Sequence, residues 1–149
     1  MAPLRSRRLI PPLLLGMLTL ASSAIADEAA LVVVMHAGAG IETLTRDQVI
    51  NIFLGRFRKL PNGHLAIPID QDSDHPMKAE FYRRLVGKNP AEIRAYWARL
   101  IFSGKTAPPR EAKSEEQMIE WLMTQPGAIG YLPTDRLREP LKAVFTLDQ

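Results

Sequence analysis

The chain has 149 residues, with 19 basic and 16 acidic side chains and no cysteine. Three of the basic residues (Arg5, Arg7 and Arg8) lie near the start, while every acidic residue lies at or after Asp27. Residues 27–149 are therefore charge-neutral, which removes the case for a nucleic-acid partner, and the absence of cysteine excludes a disulfide framework, thiolate chemistry and Cys-based metal sites.

Arg5, Arg7 and Arg8 precede an apolar stretch, Leu9 to Ala21, that is broken by Pro11 and Pro12. Ala24-Ile25-Ala26 then supplies small residues at the positions signal peptidase reads, so residues 1–26 are expected to be a cleaved export signal. The expected product, residues 27–149, has the size of one domain with one core, and a periplasmic location suits a cysteine-free exported chain.

Leu31-Val32-Val33-Val34-Met35 is a continuous β-branched run, as in a strand covered on both faces. His36 to Gly40 is a turn. Thr45-x-x-Gln48 forms a capping box ahead of Val49, Ile52 and Phe53, which recur at helical spacing up to Gly55. A basic, turn-rich segment from Arg56 to Gly63 follows. Leu65 to Ile69 reads as a second strand, which Pro68 either places at an edge or makes start late.

Asp72-Ser73-Asp74-His75-Pro76 is a polar loop opening a helix, with Asp74 or His75 at the N-cap and Pro76 in the first turn. Met77, Phe81 and Leu85 form the apolar stripe of that helix, which Gly87 ends. Asn89-Pro90-Ala91-Glu92 starts another helix, with Ile93, Trp97, Leu100 and Ile101 on its apolar side. Thr106 to Arg110 is a proline-containing loop. Ser114-x-x-Gln117 caps a helix bearing Met118, Trp121 and Leu122, and the strands Ala128 to Leu132 and Ala143 to Leu147 close the chain. The order β-α-β-α-α-α-β-β predicts an α/β domain with a mixed sheet covered by helices.

Val49-x-x-Ile52-Phe53-Leu54-Gly55, the basic turn Arg56 to Lys59, the strand Leu65 to Ile69, the loop and helix Asp72 to Phe81, Tyr96-Trp97, and Pro126-Gly127-Ala128-Ile129-Gly130-Tyr131 occur in that order. Together they resemble the second lobe of phosphate-binding proteins from ABC importers. The resemblance implies one lobe of a type II periplasmic-binding-protein fold and a small anionic solute such as phosphate. It places the ligand-binding residues at Gln71, Asp72, Ser73, Asp74 and His75, where free N–H groups and the helix dipole favour an anion.

Two departures accompany it. Family members close two lobes over their ligand, and the glycine-rich loop and aspartate of the first lobe are absent here. The family also has an Arg and a Ser-Gly-Thr loop where this chain has Asp70, Gln71 and the acidic Asp72-Ser73-Asp74-His75. Each carboxylate opposes a phosphate by about 1 kcal/mol at 4 Å in water. The expectation is therefore weak binding, or binding completed by a second chain, for example in a face-to-face dimer.

The alternative is an interaction or sensory module that keeps the fold, has lost the ligand, and docks on a membrane transporter or sensor. Asp70, Asp72, Asp74 and His75 fit neither an EF-hand nor a zinc spacing, so no metal is expected. Gly38-x-Gly40 and Ser103-Gly104-Lys105-Thr106 lack the context of phosphate loops, and no cofactor is expected. No nucleophile–base pattern surrounds Ser103 or the three histidines, so the reading is not an enzyme.

Overall fold

The structure, a computed structural model, describes residues 29–148; the expected export signal lies outside the described residues. Five strands and four α-helices follow one another as β1 (Leu31–His36), α1 (Arg46–Phe53), β2 (Ile67–Gln71), α2 (Pro76–Val86), α3 (Pro90–Ser103), β3 (Arg110–Ala112), α4 (Glu115–Thr124), β4 (Ala128–Pro133) and β5 (Leu141–Thr146). They build one mixed sheet in the order β3-β2-β4-β1-β5. β2 runs parallel to both β3 and β4, whereas β1 runs antiparallel to both β4 and β5.

The apolar run of β1 buries side chains on both faces of the sheet, as its unbroken hydrophobicity requires. Leu31, Val33 and Met35 face a cluster that includes Phe53 of α1, Phe81 and Leu85 of α2, Trp97 of α3 and Tyr131 of β4. Val32 and Val34 face a second cluster with Ile69, Met118 and Leu122, the latter two from α4. Aromatic rings centre the first cluster: Phe81 stacks on Tyr131 with centroids 3.8 Å apart, and Phe53 meets Phe81 edge-on at 4.8 Å.

Side chains that satisfy free backbone N–H groups set the helix starts. Thr45 and Gln48 form a reciprocal capping box on α1, and Asn89 and Glu92 form one on α3. Ser114 Oγ accepts from the Gln117 N–H, but Gln117 reaches back to the Lys113 N–H, one residue earlier than a full box requires. Gly87 and Gly104 end α2 and α3 in the left-handed conformation.

The structure corrects several boundaries. The second strand starts two residues later than its apolar run, because Leu65 is 65 % exposed in a bridge to Lys59. It therefore ends on Asp70 and Gln71, which the sequence reading placed beyond the strand. Pro68 does not make it an edge strand. The Ile67 N–H bonds to Gly127 O on the β4 side, so the Pro68 nitrogen points to the β3 side, and β3 pairs only from Ile69 onward. The edge belongs to β3, which the proline loop concealed. On α3, Ile101 is 56 % and Phe102 96 % exposed, so the apolar stripe leaves the core before the helix ends.

Candidate functional site

Because β2, β3 and β4 are parallel, their carboxyl ends share one edge of the sheet. The loop Asp72–His75 emerges there and turns into α2. Ser73, Asp74 and Pro76 are exposed and Asp72 and His75 half-buried, so the helix start is open to solvent. His75 is the N-cap residue.

The five candidate residues divide into a buried one and an open group. Gln71 is fully buried at the end of β2. Its N–H donates to the Tyr131 hydroxyl at 3.1 Å, its side-chain amide lies against Met118 Sδ at 3.5 Å, and its Oε1 has no partner among the described residues. Gln71 thus forms the back of the site rather than its surface. Asp72 accepts from the Asp74 N–H at 3.4 Å and faces Lys113 Nζ at 3.5 Å. The Asp74 hydrogen bond, assisted by Lys113, holds the Asp72 carboxyl below its ordinary range. Ser73 Oγ donates to Glu111 Oε1 at 2.7 Å.

Most of the amides that would hold an anion here are committed within the chain. The His75 N–H bonds to Asp72 O at 2.9 Å, and the Met77 N–H to His75 Nδ1 at 3.1 Å. The Lys78 N–H bonds to His75 O at 3.0 Å, and Pro76 has no N–H to give.

Behind the loop lies a buried polar cluster that sequence reasoning did not assemble. Asp70, 2 % exposed, accepts from the Tyr82 hydroxyl at 2.8 Å and from the Tyr131 hydroxyl. Lys78 Nζ stands 3.4 Å from Asp70 Oδ2 and 2.8 Å from Glu111 Oε1. Burial pushes the Asp70 carboxyl up from its ordinary value, against the opposing pull of Lys78 and the two tyrosines. Burial, and then Asp70 itself, raises both tyrosine hydroxyls well above their usual range. At Glu111 burial pushes upward, but hydrogen bonds from Lys78 and Ser73 outweigh it and the carboxyl titrates low. Asp70 is therefore turned into the interior and tied off by the two tyrosines and Lys78.

The cluster closes one end of a cleft of about 280 Å³ between α2, α3 and the Pro108–Pro109 turn. Among the described residues no group of three or more His, Asp or Glu side chains is arranged to hold a metal ion, and no helix is long and apolar enough to cross a membrane.

The sheet order, the helices on both faces and the open loop at the parallel strand ends define one lobe of a phosphate-type substrate-binding protein fold. Several solved structures carry this likeness, among them the following two. A phosphate transport receptor of the ABC type from Vibrio cholerae superposes with a TM-score of 0.61 at 14 % identity, over 78 % of this chain and 45 % of that one. A phosphate ABC transporter substrate-binding protein with bound phosphate from Clostridium perfringens gives 0.62 at 12 % identity, over 78 % and 44 %. At such identities the likeness is one of fold. The chain spans less than half the length of these structures, as a single lobe would. The sequence matches no family model and no curated protein.

Proposed function

We propose that this chain is a periplasmic solute-binding module that meets a small anion such as phosphate at the Asp72–His75 loop, weakly by itself and more firmly when a second chain supplies the opposing wall. The observation that carries this reading is the exposed helix start at the carboxyl ends of three parallel strands, in a fold whose neighbours include a phosphate-bound protein. Ligands of open α/β sheets bind at such strand ends. Two features keep the affinity low. The amides opening α2 serve the chain's own cap, and the carboxylates of Asp72 and Asp74 repel an anion. Gln71 supports the loop from behind.

Calorimetry with phosphate, sulfate and divalent cations tests the proposal. The expected result is millimolar binding of phosphate, tightened about tenfold or more when Asp72 and Asp74 are both changed to Ser. A folded monomer that gives no heat with any of these solutes, before or after that change, removes the binder.

The second reading is a docking module for a membrane transporter or sensor. Phe102 favours it, standing 96 % exposed beside the half-exposed Ile101 at the end of α3. Adjacent large apolar side chains in water are a common mark of a protein contact. Chemical crosslinking in cells from Phe102→Cys discriminates: a specific membrane-protein adduct supports docking.

A further inference from the structure

The α2–α3 cleft differs in chemistry from the open loop. Its walls are apolar, formed by Ile93 and Trp97 of α3, Pro90 at the start of α3, and Pro108 and Pro109. Its volume of about 280 Å³ lies near the lower end for small-molecule pockets. It suits one aromatic ring or branched aliphatic body with a short tail. Such pockets orient a ligand through a few placed polar groups, and here these lie at the end formed by Asp70, Lys78, Glu111 and Ser73.

The charges at that end do not cancel. Lys78 pairs with both Asp70 and Glu111, leaving one carboxylate in excess. The Tyr131 hydroxyl accepts from the Gln71 N–H, so its own proton goes to Asp70, as an ionised carboxylate requires. Ser73 and Lys78 both donate to Glu111 Oε1. Glu111 Oε2 has no partner among the described residues and is free to accept from a ligand. Arg94 also borders the cleft, but it is exposed on α3 and its charge is screened by water, whereas Asp70 is buried and Glu111 half-buried. Tyr82 and Trp97 add ring surfaces that favour a cation over an anion.

We propose that this cleft binds a small organic cation, an amine with an aromatic or branched aliphatic body, its ammonium group on Glu111 and its body against Trp97. The site does not rest on the anion reading: it takes the opposite charge in a neighbouring cavity that shares Ser73 with the loop, and either can fail alone.

The chain has two tryptophans, and Trp121 lies on α4 across the sheet, where it stacks under Arg110. A Trp121→Phe background therefore isolates Trp97 as the reporter. Titrating that protein with phenethylamine at pH 7 is expected to give a saturable fluorescence change with a dissociation constant of about 0.1–1 mM. 3-Phenylpropionate, of similar body and opposite charge, is expected to bind at least about tenfold more weakly, and phosphate to leave the signal unchanged. Glu111→Gln should weaken phenethylamine about tenfold while leaving the neutral 2-phenylethanol unaffected. Ala98→Phe, on an exposed position of the cleft wall, should abolish all three responses without altering the fold by circular dichroism. Equal curves for amine and carboxylate, no saturation with phenethylamine, or an unchanged amine response in the Ala98→Phe protein would overturn the site.

Discussion

Tyr131→Phe removes one oxygen from a fully buried position and keeps the ring stacked on Phe81. The hydroxyl does two things: it donates to Asp70 Oδ1 and accepts from the Gln71 N–H at 3.1 Å. A hydrogen bond to a charged acceptor is worth about 1.5–3 kcal/mol, and a stranded buried N–H costs about 1–3 kcal/mol. Partial relaxation of the Gln71 strand end offsets some of this, so about 3 kcal/mol of lost stability is expected at pH 7, or about 10 °C in Tm. Urea unfolding followed by circular dichroism measures it. The pH dependence makes the argument sharper. Asp70 has a raised folded pKa, so its contribution is fully present below its ordinary value of 3.8 and is lost as pH rises through the folded value. The Tyr131 hydroxyl is one of the groups holding that value down. Its removal raises the value further and enlarges the loss, so the variant's deficit should be greater at pH 8 than at pH 4. A deficit below about 0.5 kcal/mol, or one that does not change with pH, would refute the placement of an ionised Asp70 between the tyrosines.

Tyr82→Phe breaks one bond to Asp70 and should cost about half as much in the same assay. Glu80, hydrogen-bonded by Arg83 and Arg84, has its carboxyl lowered to about 2. Its contribution is present above the ordinary value of 4.5 and is lost as pH falls through about 2. Solvent screening at this partly exposed group limits it to about 0.5–1 kcal/mol, so Glu80→Gln should flatten the acid limb of the stability curve by that amount. Gly127→Ala should cost at least about 2 kcal/mol in urea unfolding, since the backbone sits at φ 82° and the new Cβ would lie 2.2 Å from Leu65 O. Phe102→Ser should leave Tm within about 2 °C of the parent, because the side chain buries almost nothing.

The helices were legible because their signals are local. Thr45 with Gln48, and Asn89 with Glu92, announce α1 and α3 within four residues, and the structure shows both boxes closed. β1 was legible because both of its faces are apolar. β3 was not: Arg110-Glu111-Ala112 has no strand character of its own and is extended only because it pairs with Ile69 to Gln71. The loop after β2 was legible as a helix start, but what lies behind it was not. Asp70, Lys78, Tyr82, Glu111 and Tyr131 come from four elements spread over about half of the described residues, so no spacing rule links them. The one available hint was a polar Asp70-Gln71 pair ending an otherwise apolar strand, since buried polar groups require partners from elsewhere in the fold.

The open edge also bears on the kind of surface that can complete it. A second copy set face to face would bring its own Asp72 and Asp74 toward the first pair, adding like charges across a narrowing gap. Each such pair opposes approach by about 1 kcal/mol at 4 Å in water, and by more once water is expelled. Lys113, 3.5 Å from Asp72, offsets one carboxylate in each copy and leaves Asp74 uncompensated. A wall contributed by a basic surface meets no such penalty, and it would bring cations to an edge where Asp74 stands unpaired among the described residues. Partner capture through this edge should therefore weaken as salt is raised from 0.05 to about 0.5 M, whereas an apolar contact through Phe102 should not.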